Sequence, residues 1–254
     1  MEKELISRKT CKNCSNTYEG NFCNFCGQSS DVHKINSHYV IHEIQHSIFH
    51  VDGGILYTIK QLFKRPGNSI REFIEGKRVK HFKPITFVII LSIIHSFLEH
   101  YGNQKPFIED FLTGVGEAFK NYGSNKYFKV LEWLIQHYSY TALLLIPIFS
   151  LASYISFKKS KFNYFEHLVL NAYTFGQITL IFILTFPLSY LFPQSHLLVY
   201  FKLLLVMIAA FWTYFQFFNN LNRSSRIINT ITTYSLFIFF ICVILFVLAI
   251  LTAI

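Results

Sequence analysis

From Pro84 onward the chain is a succession of long apolar blocks separated by short polar breaks, and no other feature constrains its fold as sharply. A bilayer core about 30 Å thick is crossed by roughly 20 apolar residues in a helix. Five blocks meet or approach that length: Ile85 to Leu98, about Tyr138 to Phe157, about Leu168 to Phe192, about Leu197 to Phe218 and about Thr230 to Ile254. The first is short and interrupted by His95, which makes it the weakest of the five. Backbone polar groups cannot stay unpaired in lipid, so these blocks are expected as helices. None alternates with the two-residue period of a barrel strand. Composition agrees, because only 15% of residues are charged, against about 25% in a soluble domain.

The distribution of charge gives an orientation. Residues 1–83 hold 13 of the 23 Lys and Arg and 8 of the 14 Asp and Glu. Met1 to Thr10 is charged and lacks the apolar run of a cleavable signal. Lys158, Lys159 and Lys161 fall between the second and third blocks, and Arg223 and Arg226 between the fourth and fifth. Pro193-Gln194-Ser195-His196 carries no Lys or Arg, and neither does the C-terminus. With five spans every basic loop lies on one side, which places the N-terminus in the cytoplasm and the C-terminus outside. The intervening 99–137 segment repeats Phe107, Phe111, Val115 and Phe119 every fourth residue. It reads as an extracytoplasmic amphipathic segment packed on the bundle or on the outer leaflet.

At the other end, Cys11-Lys-Asn-Cys14 and Cys23-Asn-Phe-Cys26 form a C-x2-C…C-x2-C array. Two knuckles with this spacing bring four thiolates around one tetrahedral Zn2+, and Gly27 after Cys26 suits the turn beneath the metal. A cytoplasmic location disfavours stable disulfides, and no βαβ pattern supports a redox pair. Four thiolates fill the coordination sphere, so the expected role of the ion is structural. Cys242, in the last apolar block, reads as a packing residue.

Between the cysteines and the apolar blocks lies a His-rich, basic segment. His38, His42, His46 and His50 recur every four residues, along one drifting stripe of a helix, with Ile41, Ile44 and Ile48 roughly opposite for burial. The stripe contains His42-Glu43-Ile44-Gln45-His46, an H-E-x-x-H pattern. Such a pattern holds Zn2+ between two imidazoles, with Glu43 as candidate catalytic base and Glu72 or Glu75 as a third ligand. A second metal or pH-sensing surface and a merely polar helix face are the alternatives. After the stripe, Ile55–Lys64 and Asn68–Gly76 read as two short amphipathic interfacial helices broken at Pro66-Gly67. Asn68 or Ser69 is the expected cap of the second and Gly76 its stop. Arg65, Lys77, Arg78, Lys80 and Lys83 would face anionic lipid headgroups. The net charge of +9 thus points to a membrane surface; a nucleic-acid role lacks the interleaved aromatic platform of single-strand binders.

The run Cys11-x2-Cys14…Phe22-Cys23-x2-Cys26-Gly27-Gln28, then Arg65-Pro66-Gly67, Glu75-Gly76-Lys77-Arg78 and Pro84, resembles an uncharacterised family of bacterial multi-pass membrane proteins carrying a domain of unknown function. The resemblance covers roughly residues 8–98, and Ser15 departs from the Gly usual in such knuckles. It implies a zinc ribbon joined to a membrane domain in the bacterial cytoplasmic (inner) membrane, and carries no activity with it.

Polar residues at membrane depth are costly and so mark candidate sites. Glu166 and His167 at the mouth of the third block, with Asn171 and Gln177 beyond, could form a relay or pair helices with one another. Lys202 reads as snorkelling outward. The chain is therefore expected to be an all-α integral membrane protein. A zinc-ribbon module (1–30) and amphipathic interfacial helices (31–83) precede about five transmembrane helices (84–254). The favoured function is non-enzymatic docking, scaffolding or regulation, with a cytosolic or membrane protein partner bound through the ribbon. A small transporter or channel and a membrane metallohydrolase are the alternatives.

Overall fold

The structure, a computed structural model, describes residues 8–46, 54–102, 129, 133, 137–193 and 195–253, with side chains omitted at a few of these, His46 among them. The amphipathic repeat expected within 99–137 and the last histidine of the stripe, His50, lie outside the described residues.

The cysteine module is two turns closed by the same hydrogen-bond pattern. β1 (Lys9–Thr10) and β2 (Thr17–Tyr18) pair antiparallel around the first, with Lys9 opposite Tyr18. Phe22 bridges Ser29 around the second. In each, the first cysteine donates its amide five residues ahead, Cys11 to Asn16 at 2.9 Å and Cys23 to Gln28 at 2.8 Å. The fifth residue donates back, Ser15 to Cys11 and Gly27 to Cys23. This geometry needs a left-handed residue after the second cysteine: φ is +61° at Ser15 and +75° at Gly27. The departure from glycine at Ser15 thus retains the turn at some conformational cost.

α1 (Ser37–His46) follows the module, with the Asn36 side chain accepting the Tyr39 amide at 2.9 Å. Its buried side carries Val40 and Glu43, while Ile41 is exposed. Burial of an isoleucine face is thus not what this helix does at Ile41; contact with the start of the first apolar helix selects a different side. α2 (Ile55–Lys64) and α3 (Pro66–Glu75) form a tight pair joined through Arg65. The cap of α3 is Arg65, one residue before Pro66, and not Asn68 or Ser69, because proline at the first helical position needs no amide partner. Gly76 ends α3 in the left-handed region, as its position suggests.

Beyond Lys83 lie α4 (Pro84–Tyr101), α5 (Tyr138–Ser156), a 3-10 turn (Lys158–Ser160), α6 (Tyr164–Leu191), α7 (His196–Phe217) and α8 (Arg223–Ala253). Four are long and apolar enough to cross a bilayer: α4, α6, α7 and the Arg223–Leu248 part of α8. The fifth, α5, offers a shorter described apolar stretch, Leu143–Ser156. The block judged weakest by sequence therefore qualifies, because α4 extends past Leu98 through Tyr101 and buries His95. The outer sides of α7 and α8 expose Met207, Ile228, Ile231, Ile238 and Phe246, a surface suited to lipid and not to water.

One aromatic-rich core runs from the amphipathic pair into the bundle. Leu62, Ile70 and Phe73 of the pair are buried with Phe82, Phe87, Tyr173, Tyr214 and Phe217. The apolar face of α3 is thus largely consumed by protein contact, whereas α2 buries Leu62 and leaves Leu56 and Phe63 exposed. Gly67 sits so close to α7 that a Cβ would strike the Phe217 amide and the Thr213 carbonyl. Gln177 ties three helices at this level, donating to the Leu62 carbonyl at 2.8 Å and accepting from the Thr213 hydroxyl at 2.9 Å.

Candidate metal centre

The four cysteines converge. All four Sγ atoms lie within 4.8 Å of one another, with Cys11 and Cys26 at 3.5 Å and Cys14 and Cys23 at 3.6 Å. A tetrahedral ion with metal–sulfur bonds of about 2.3 Å requires sulfur–sulfur separations of about 3.8 Å. None of the four is in a disulfide. The donor set fits a metal ion, and among the described residues it is the one convergent group of three or more His, Cys, Asp or Glu ligand atoms.

The module is bolted to the segment before α4. Gln28, directly after the second turn, is buried, and its Oε1 accepts the amides of Arg78 and Val79 at 3.1 and 3.0 Å. Lys12 donates to the Val32 carbonyl at 3.2 Å. Arg78 donates to the carbonyls of Phe73 and His33 and lies over the Tyr39 and Phe73 rings. The Gln28 backbone closes the metal turn and its side chain holds the juxtamembrane turn. One residue therefore links ligand geometry to the membrane domain. In the sequence Gln28 is only part of a motif, since no local pattern shows what a glutamine will bond 50 positions away.

The H-E-x-x-H residues serve differently placed ends. His38 and His42 are exposed, with their rings stacked at 6.3 Å. Glu43 is 3% exposed and its Oε1 accepts the Ile85 amide at 2.8 Å, at the N-terminus of α4, where a carboxylate complements the helix dipole. Burial pushes its pKa up to about 7, against the Ile85 amide, Tyr39 and Lys83. Glu72 holds Arg65 in a two-pronged pair at 2.9 Å on each arm, and Glu75 is exposed. Of the basic residues, Arg65 and Arg78 are committed within the protein, Lys77 is 3.9 Å from Glu72, and Lys80 is exposed at the end of the turn.

The polar residues of α6 lie inside the bundle. Asn163 and Glu166 make a reciprocal capping box at 2.9 and 2.8 Å. His167 Nδ1 meets Ser153 Oγ at 2.9 Å. Asn171 donates to Ser150, Ser153 and the His167 carbonyl and accepts from Tyr214 at 2.6 Å. Lys202 donates to Ser189 at 2.9 Å.

Together these features describe a chain with four helices long and apolar enough to cross a membrane, headed by a double knuckle whose four cysteines are placed to hold a metal ion. Residues 52–95, spanning α2, α3, the juxtamembrane turn and the start of α4, match the family described as "Protein of unknown function (DUF3667)". No curated protein and no solved structure matches the chain.

Proposed function

We propose that the protein is a non-enzymatic membrane component in which a zinc-bound ribbon, on the cytoplasmic side of a bacterial inner membrane, docks a protein partner. Cys11, Cys14, Cys23 and Cys26 hold the ion, whose contribution is to fold a module too small to keep a core of its own. The bundle crosses the membrane five times, with α5 completing the set, so the N-terminus is inside and the C-terminus outside. The observation that carries the docking reading is the pair Phe22 and Phe25, 66% and 79% exposed on the second knuckle. Large aromatics on a rigid metal-stapled turn are suited to filling a partner's pocket, and the latch through Gln28 transmits such a contact to α4.

The test is site-specific photocrosslinking in cells at position 25 of the full-length protein, with position 9 on β1 as a comparison. The expected result is a discrete adduct at position 25, lost when Phe22 is changed to Ser with metal content retained. An adduct pattern that is the same at both positions would sink the docking reading.

A further inference from the structure

Between the second knuckle and the segment leading into α4 lies a groove of about 960 Å³. Its lining combines Arg78, Lys80 and Lys83 with the aromatic residues Phe22 and Tyr57. We propose that this groove binds a phosphate-bearing ligand with an apolar body, with a membrane phospholipid as the source the geometry favours.

Charge comes first. Three cations line the groove against one lining carboxylate, Asp31, which lies 2.7 Å from His33. Glu43 offsets Arg78 and Lys83 from the far side, buried against α4. Arg78 makes its hydrogen bonds to the carbonyls of Phe73 and His33, which fix the guanidinium without neutralising it. A fixed, partly desolvated positive charge attracts an anion more strongly than a free surface lysine does. Lys80 and Lys83 add ammonium groups, which bind phosphate as point charges.

Shape and depth then select among anions. The aromatic residues of the lining add nothing to inorganic phosphate binding, yet they suit an acyl or aryl body next to the charged head. His81 lines the groove, with Nε2 2.9 Å from Ser69 Oγ, and burial lowers its pKa, so it adds a polar neutral ring. Lys83 is the residue immediately before Pro84, where the first apolar helix begins. With α4 crossing the bilayer from Pro84, Lys83 would meet lipid phosphates, and a headgroup would enter with its chains still in the bilayer. Gln28 and the Arg78–His33 bond together hold the ribbon on the Arg78–Val79 turn that lines the groove. Phe22 is shared with the docking surface, whereas Phe25 does not line the groove, and the lysine dependence of binding needs no protein partner.

Calorimetric titration of the purified full-length protein in nonionic detergent tests the inference. The probes are dioctanoyl phosphatidic acid, dioctanoyl phosphatidylcholine, phenyl phosphate and inorganic phosphate. Saturable binding of phosphatidic acid is expected, weakened about 10- to 30-fold in Lys80→Ala/Lys83→Ala, since each near-surface cation contributes about 1 kcal/mol. Lys60→Ala/Lys64→Ala, two exposed lysines of α2 outside the groove, should leave affinity within about twofold. Because Lys83 caps α4, Lys80→Glu alone is the second variant; it keeps the cap and should weaken binding at unchanged metal content. Equal affinity for phenyl phosphate, with the same lysine dependence, supports the site and identifies a soluble phosphate as its ligand. No saturable binding of any phosphate probe, or equal losses in the two lysine pairs, overturns the proposal.

Discussion

Replacing Glu43 by glutamine isolates what a buried carboxyl does at the entrance to the first apolar helix. The side chain is 3% exposed and accepts the Ile85 amide at 2.8 Å. Burial sets its pKa at about 7 in the folded protein, against 4.5 for an unperturbed glutamate. Between those values the folded state binds more protons than the unfolded one. Stability should therefore fall as pH rises from about 4.5 to about 7 and level off above. At about 1.4 kcal/mol per unit, the loss across this window is ~3 kcal/mol. Glutamine reproduces the protonated form and keeps the acceptor for Ile85. Glu43→Gln should then match the parent near pH 4.5 and exceed it near pH 8 by ~3 kcal/mol, a midpoint shift of about 6–12 °C for a chain of this size. The assay is thermal unfolding followed by circular dichroism in nonionic detergent across that range, comparing the two proteins so that other titrating groups cancel. Parallel pH curves, or a variant less stable at pH 8, would show that the charged carboxylate is the stabilising form, and the reasoning would fail.

Three other perturbations bear on the architecture. Gly67→Ala should destabilise by about 1–3 kcal/mol or more, because the neighbours are α7 backbone and cannot yield; an unchanged unfolding midpoint would show the pair is not seated there. Cys11→Ser with Cys26→Ser should remove one metal equivalent and raise hydrogen exchange at the Arg78 and Val79 amides while leaving the helices of the bundle protected. Retention of metal by this variant would refute the assignment of ligands. Asn171→Leu removes the 2.6 Å acceptor of the buried Tyr214 hydroxyl together with the bonds to Ser150, Ser153 and the His167 carbonyl, and should cost about 1–3 kcal/mol. Adding Tyr214→Phe should recover part of that cost in a double-mutant comparison, and no recovery would mean the bond is energetically idle.

How much was legible in advance differs from feature to feature. The cysteine spacing was sufficient to shape each knuckle, because each is closed by hydrogen bonds within six residues, while the convergence of all four thiolates comes from packing between the two turns. The apolar blocks appear as helices within a few residues of their expected ends, apart from α8, which starts seven residues earlier at Arg223. Ile41 went the other way from its pattern: period alone names the faces of α1 but not which one meets a neighbour. Glu43 shows the same limit more sharply. Its motif suggests a metal-activated base, whereas the amide it bonds belongs to Ile85, 42 positions along the chain.

What the sequence determined by itself is therefore local and compositional. Apolar length dictates helices in lipid, and Cys-x2-Cys with a left-handed fifth residue dictates the knuckles. What only the tertiary structure decided is where polar and amphipathic side chains spend their bonding capacity. Gln28 clamps the Arg78–Val79 turn, Gln177 joins α2, α6 and α7, and Leu62, Ile70 and Phe73 bury their faces in protein. The physical reason is that a buried polar group must be paired wherever a partner is found, and that partner is fixed by packing between distant segments, not by spacing along the chain.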